Sequence, residues 1–324
     1  MKAIIWTKYG PPEVLKLQEL EKSKPKDNEI LLRIHATSVT MGDCEMRALR
    51  LSPALAFFIR IYNGIKKPKR ITILGQDVAG VVEAIGKSVR IFNVGDEIFG
   101  STGFKMGAYA EYTCLPEDAE LAKKPVNMTF EEAAAVPLGG LNSIYFLKKA
   151  RIQKGQKVLI NGASGSIGTY AIQIAKSSGA TVTGVDTTEK LDILRSIGAD
   201  YVIDYTQEDF TKKGETYDVI FDLVRKSSFS GCVRVLNKNG IYLQVNHGMF
   251  RRIRGSLSSM RSSKKILSGT VMEGTEYLKD LKKLIEIGQI KSVIDREYLL
   301  EQIIDAHEYV ETGQKKGNVV IKVI

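Results

Sequence analysis

The spacing of apolar residues divides the chain into two textures. Up to about residue 120, short apolar runs and alternations predict strands: EILLRIHATSV at 29–39, DVAGVVEAIG at 77–86 and AYAEYTCL at 108–115. Gly86, Gly95, Gly100, Gly103 and Gly107 punctuate them as turns. After Pro125 the texture changes. TFEEAAAVPLGGLNSIYFLKKA, residues 129–150, opens with Thr129 followed three residues later by Glu132, a helix-capping signature, and reads as helix. From Val158 onward, strand-like runs at 158–160, 181–185, 201–203, 218–223 and 240–245 alternate with helical stretches at 166–178, 188–197 and 227–236. That alternation predicts a parallel sheet with helices on both faces. Residues 275–288 read as a helix, and 298–323 as a helix, a glycine turn and a strand. The sequence has no internal repeat.

The stretch VLINGASGSIG, 158–168, concentrates the candidate chemistry. An apolar strand enters a turn carrying Gly162, Gly165 and Gly168, and an amphipathic segment follows. Strand, glycine turn and helix put a pyrophosphate on a helix N-terminus. The candidate cofactor residues of the turn are Gly162, Ala163, Ser164, Gly165, Ser166, Ile167 and Gly168. The next apolar run, TVTGVD, ends in Asp186, where an acid can accept hydrogen bonds from both adenosine ribose hydroxyls.

Composition narrows the class. At 324 residues the chain is long for one core, which favours two domains. Hydrophobic residues at 44% and charged residues at 26% are ordinary for a soluble globular protein, and no stretch approaches the roughly 20 apolar residues of a membrane span. MKAIIWTKYG at the start reads as a strand and a turn rather than as a signal peptide. Cys44, Cys114 and Cys232 lie far apart with no CxxC pair, which argues against a disulfide framework and a thiolate zinc cluster and makes the cytoplasm the expected compartment.

The net charge is +10, of which residues 60–70 carry +5 and residues 246–265 carry +6, with no acid in either. LRLSPALAFFIRIYNGIKKPKR (49–70) and GMFRRIRGSLSSMRSSKKIL (248–267) each join an apolar stretch to a basic end. Three readings stay open: solvent-facing loops, contact with anionic lipid, or an electropositive mouth for an anionic substrate. Nucleic acid is not expected as a partner, since no nucleic-acid-binding motif accompanies the charge.

GQDVAGVVEAIGKSV (75–89), VGDEIFG (94–100), GAYAEY (107–112), VLINGASGSIG (158–168), LRSIGADYVIDY (194–205) and KKGNVVIKV (315–323) together resemble the medium-chain dehydrogenase/reductase superfamily over nearly the whole chain. The resemblance is nearest to the zinc-independent quinone oxidoreductase branch. It implies an α/β fold: a doubly wound parallel Rossmann domain, 124–273, inserted in a strand-rich GroES-like catalytic domain made of 1–123 and 274–324. It also implies an active site in the cleft between them, and a homodimer formed through edge strands of the cofactor domain.

The departures from the family's zinc enzymes point to the chemistry. Those enzymes place a cysteine upstream of an aspartate in the early strand-loop, then His-Glu after a glycine. Here Thr40 stands before Asp43, and Gln76 and Asp77 follow Gly75. His35, His247 and His307 have no close ligand spacing, so no zinc is expected. Reducing a simple ketone needs an electrophile to hold the developing alkoxide, whereas a quinone or conjugated enone spreads the charge through its own π system. The expectation is a hydride passed from NADH or NADPH to a quinone or activated alkene. A non-enzymatic NAD(P)-binding sensor or scaffold, and an alcohol dehydrogenase, are the alternatives.

By resemblance Thr40 and Asp43 lie on the loop bordering the nicotinamide, and Asn142 matches a hydroxyl-bearing position of the same pocket. Glu45 stands where some quinone reductases carry a tyrosine. Tyr109 and Tyr112 are read as structural. Asn246 and His247 follow the strand IYLQV and read equally as ligand-facing or as surface loop. Asp186 favours NADH because it repels a 2′-phosphate, while Lys190 and Tyr205 align with positions that hold that phosphate in NADP-dependent relatives.

Overall fold

The computed structural model describes residues 1–224, 227–245, 263–269 and 275–324. The chain forms two compact units. One comprises 1–138, 273–286 and 292–324, and the other 139–272 and 287–291.

The first unit opens with β1 (Lys2–Trp6), paired antiparallel with β2 (Leu15–Glu19). The long strand β3 (Glu29–Val39) follows, then two helices, α1 (Met41–Ala48) and α2 (Pro53–Asn63). Both helices lie where the sequence reads as strand-rich or as loop. Helix α2 has its own local cause: Ser52 caps it, accepting from Leu55 N, and Pro53 occupies the first position, where a missing N–H costs nothing. Strands β4 (Asp77–Ile85), β5 (Glu97–Ser101), β6 (Tyr112–Pro116) and β7 (Glu120–Lys123) complete this part. The expected strand at 108–115 is regular only from Tyr112, because Ala110 is tied by an isolated bridge to Ala3.

The helix expected at 129–150 is two helices, α3 (Phe130–Ala134) and α4 (Pro137–Ala150). The Thr129–Glu132 capping box is present at the head of α3. Pro137 has no N–H to continue that helix, so it starts the next one. Helix α3 packs on β3, β4 and β5. It therefore belongs to the first unit, and the second unit begins at residue 139, inside α4, rather than at 124.

The second unit runs β8 (Lys157–Asn161), α5 (Ser166–Ser177), β9 (Thr181–Asp186), α6 (Leu191–Ser196), β10 (Tyr201–Asp204), β11 (Tyr217–Asp222), α7 (Phe229–Arg234), β12 (Leu236–Gln244) and β13 (Lys265–Ser268). Among the described residues these strands form a six-stranded sheet in the order β10-β9-β8-β11-β12-β13, every pair parallel. Val158, Leu159 and Ile160 are all fully buried, as a strand covered on both faces requires. The order reverses beside β8, the first strand of the unit, and the glycine turn follows that strand.

The chain then returns to the first unit. Strands β14 (Ile294–Leu299) and β15 (Asn318–Lys322) join a seven-stranded sheet, β14-β15-β3-β4-β5-β7, with β6 also on β3. Trp6, Leu15 and Tyr109 share one buried cluster with Leu300, Ile303, Val310 and Ile321, so both ends of the chain build that core. No helix among the described residues is long and apolar enough to cross a membrane.

Candidate functional site

The turn after β8 is built by close approaches. Gly162 has φ +83°, a conformation that favours glycine, and both its N–H and that of Ala163 donate to Val185 O, at 3.0 and 3.1 Å. A Cβ on Gly168 would lie 2.5 Å from Ala163 O, so only glycine lets α5 pack this closely on the turn. Gly165 is the N-cap of α5 with no side-chain cap, and the nearest atom to a Cβ there is 3.8 Å away. Thr169 N donates to Gly165 O at 3.0 Å. The first turn of α5, Ser166 to Gly168, stands at the positive end of the helix dipole, where a bound anion is favoured.

Asp186 closes the site from the end of β9. Its Oδ2 accepts from Ser164 N at 2.9 Å, and its Oδ1 accepts from Thr187 N at 3.0 Å. Lys190 Nζ lies 3.9 Å from Oδ1, and Tyr205 N donates to Asp186 O at 3.1 Å. The predicted set Gly162–Gly168, Asp186, Lys190 and Tyr205 is thus brought together, with the Tyr205 ring exposed. Asn142 is half-buried on α4, and its neighbour Ser143 donates to Gly139 O and Ile167 O, both at 2.7 Å, which fastens α4 to the first turn of α5. Asn246 and His247 lie outside the described residues.

Beside this turn is a buried network that the sequence reading did not single out. Asp222, at the end of β11, is fully buried and accepts from Asn161 Nδ2 at 3.0 Å, Val224 N at 3.2 Å, the Tyr242 hydroxyl at 2.5 Å and the Ser227 hydroxyl. Burial raises the Tyr242 hydroxyl well above its ordinary pKa, and the Asp222 charge adds to the rise. The available signal was a polar residue ending each of two apolar strands, Asn161 and Asp222. The Ser143 fastening had only a lone serine in an apolar helix.

In the first unit, Thr40 and Asp43 form the capping box of α1. Thr40 Oγ1 donates to Asp43 Oδ2 at 2.6 Å and accepts from Asp43 N at 3.1 Å, and Thr40 N donates to Asp43 Oδ2 at 2.9 Å. Asp43 Oδ1 and the Tyr109 hydroxyl are both buried without a hydrogen-bond partner. Burial pushes the Asp43 carboxyl up from the ordinary carboxylate range. Asp77 accepts from the Ser38 hydroxyl at 2.7 Å, and burial raises it to about 7, with the Asp43 charge adding to the rise. Gln76 Nε2 donates to Gly103 O at 3.2 Å. His307 is fully buried, with Nδ1 3.3 Å from Cys44 Sγ, and burial lowers it to about 3. Among the described residues, no three or more His, Cys, Asp or Glu side chains come together as a metal site.

With this geometry established, the chain can be set beside known proteins. Residues 26–126 match the alcohol dehydrogenase GroES-like domain and residues 197–321 match the zinc-binding dehydrogenase family. The chain is 32% identical to 2-methylene-furan-3-one reductase of Solanum lycopersicum, over 99% of this chain and 79% of that one. The quinone oxidoreductase of Coxiella burnetii superposes with a TM-score of 0.89 at 29% identity, covering 100% of this chain and 99% of that one. The Escherichia coli quinone oxidoreductase complexed with NADPH superposes with a TM-score of 0.84 at 26% identity, covering 100% of both chains. The chain belongs to the medium-chain dehydrogenase/reductase superfamily, in its quinone oxidoreductase-like branch.

The Asp77 environment gives a pH test. Its carboxyl titrates near 7 in the folded protein and near 3.8 when unfolded. Between those values the folded state holds a proton that the unfolded state releases, so stability falls as pH rises through this window and levels off above it. Asp77→Asn should remove that fall. Denaturant melts should show the wild type losing on the order of 3 kcal/mol relative to the variant between about pH 4 and pH 8. Parallel pH–stability curves would show that Asp77 is not protonated in the fold.

Proposed function

We propose that this chain is an NAD(P)H-dependent reductase that passes a hydride to a quinone or to the alkene of an enone. The observation that carries it is the glycine turn at the head of α5, locked to Asp186 by the Ser164 N–H. The fit is in the backbone: the N-terminal turn of α5 at the positive end of the helix dipole, an open face at Gly165 and a carboxylate held beside it. The Ser166–Gly168 amides would hold the diphosphate of the dinucleotide and Asp186 the adenosine ribose. When bound, the dinucleotide supplies the hydride. Asn142 offers an amide donor for the nicotinamide, and Thr40 with Asp43 keeps the loop at the head of α1 in one conformation.

The zinc-independent route is part of the proposal. Two positions that carry zinc ligands in the superfamily's zinc enzymes here hold Thr40, a neutral hydroxyl committed to a capping box, and Gln76, an amide committed to Gly103 O. Neither is the thiolate or imidazole that zinc prefers. A conjugated acceptor fits that donor set, because the hydride pair adds at one end of the π system and the charge moves to the distant oxygen; a proton then adds to the oxygens of a quinone, giving the hydroquinone, or to the α-carbon of an enolate, giving the saturated ketone. The curated relative from tomato and the two quinone oxidoreductase structures support the same acceptor class by their names.

NADH is the proposed preferred cofactor. The Asp186 carboxylate opposes a 2′-phosphate, and Lys190 offsets only part of that charge. We also propose a homodimer through the edge strands of the parallel sheet, to be overturned by a monomeric mass in light scattering. The free thiols Cys44, Cys114 and Cys232 suit a reducing compartment such as the cytoplasm. Lipophilic quinones partition into bilayers, so peripheral contact with an anionic membrane belongs to the same reading.

Two measurements test the site. NADH or NADPH consumption with a panel of quinones and enones should proceed undiminished in the presence of a chelator. Saturable cofactor binding without turnover on any acceptor would leave only a binding protein. Asp186→Ser should shift the NADPH/NADH ratio of kcat/KM toward NADPH by roughly tenfold, equivalent to about 1.4 kcal/mol. An unchanged ratio would place the carboxylate away from the ribose.

A further inference from the structure

Helix α2 reverses the usual order of a surface helix, whose apolar stripe faces the core. Its buried residue is Asn63, while Phe57 is 61% exposed, Phe58 67% and Ile61 60%, with Leu55 and Tyr62 also exposed. Positions 55, 58 and 62, and positions 57 and 61, are three or four apart, so these side chains form two adjoining rows on one outward face. The helix has a single charge, Arg60, and it is turned back. Its Nη1 donates to Ile65 O at 2.5 Å and its guanidinium lies 5.0 Å from the centre of the Tyr9 ring.

A basic loop is fixed beside that face. Ile65, Lys66, Lys67, Lys69 and Arg70 are all exposed, and the sequence contains no acid from Met46 to Gln76. Asn63 clamps the loop to the helix end. Its Oδ1 accepts from Arg70 N and Ile71 N at 3.0 and 2.7 Å, and its O accepts from Lys69 N at 2.7 Å. The Tyr9 hydroxyl donates to Gly64 O at 2.7 Å, and the Arg70 guanidinium lies 4.9 Å from the Tyr62 ring centre, at the border of cationic and apolar surface. Cations and apolar face are therefore presented together, with little left to order on binding.

The charge selects the occupant. A second copy docked isologously on the same patch would bring the basic loops toward each other. Nucleic acid would use the cations and leave two phenylalanines and an isoleucine in water. An anionic bilayer takes both parts, with apolar side chains at the acyl boundary and lysines among the phosphates. We infer that α2 and the loop 64–70 form a peripheral docking element for anionic phospholipid membranes. The inference rests on the membrane contact proposed above and does not depend on turnover.

The test is co-sedimentation of the full chain with phosphatidylcholine vesicles and with vesicles containing phosphatidylglycerol. The same preparations are assayed with a water-soluble quinone, and thermal melts monitor the fold. Binding should require phosphatidylglycerol and weaken as salt rises. Phe57→Ser/Phe58→Ser and Lys66→Glu/Lys67→Glu should each weaken it by roughly tenfold or more while the melts stay intact. Absence of binding, equal binding to neutral vesicles, or retention by a folded Phe57→Ser/Phe58→Ser protein would overturn the inference. So would a dimer that these same substitutions dissociate in light scattering. Vesicle binding without quinone turnover would instead count against the reductase reading and leave the docking element standing.

Discussion

One hydrogen bond organises the cofactor unit: the Ser164 N–H donating to the Asp186 carboxylate. It runs from the turn after β8 to the end of the neighbouring strand β9. With the two amides that share Val185 O, it holds the glycine turn across the ends of both strands. The direction of α5 follows from that turn, and so does the outward aim of its first amides. The same carboxylate lies beside Lys190, and the Asp186 carbonyl accepts from the N–H of Tyr205, the residue that follows β10. Three consecutive strands of the sheet thus converge on one acid. Replacing it alters the turn as well as the charge that a ribose would meet.

The first unit follows a different logic. Its sheet and core are made from both ends of the chain, with β15 on β3 and the helix Ile303–Glu311 packed on α1. Inside it, Asp43 and Asp77 are carboxyls that burial has pushed toward the protonated form. Thr40 and Ser38 partly offset that cost by donating their hydroxyls to them. Such a cluster is expensive unless it fixes geometry, and here it fixes the loop at the head of α1.

The sequence made the second unit legible because its signals are local. A buried parallel strand is a short apolar run, and the glycine turn and terminal acid stand at set distances from it. The Thr129–Glu132 cap was equally readable, whereas Pro137 inside the same stretch marked a break that the apolar pattern concealed. Helix α2 was not legible from its pattern, since its solvent face is the apolar one and the usual polar contrast is missing. Ser52 before Pro53 was the usable clue. Thr40 and Asp43 drew attention through a family position, and their spacing is also that of a helix-capping box. The contacts of Ser143, and the network around Asp222, join residues distant in sequence, and no local pattern encodes them.

The central claim is hydride delivery to a conjugated acceptor. The most direct measurement uses nicotinamide cofactor deuterated at the transferred position with an enone that bears both a reducible alkene and a ketone. The product is then examined for the site of label. Deuterium is expected on the β-carbon of a saturated ketone. Deuterium on the carbinol carbon of an unsaturated alcohol would contradict it, because that product requires stabilisation of a localised alkoxide rather than of a conjugated enolate.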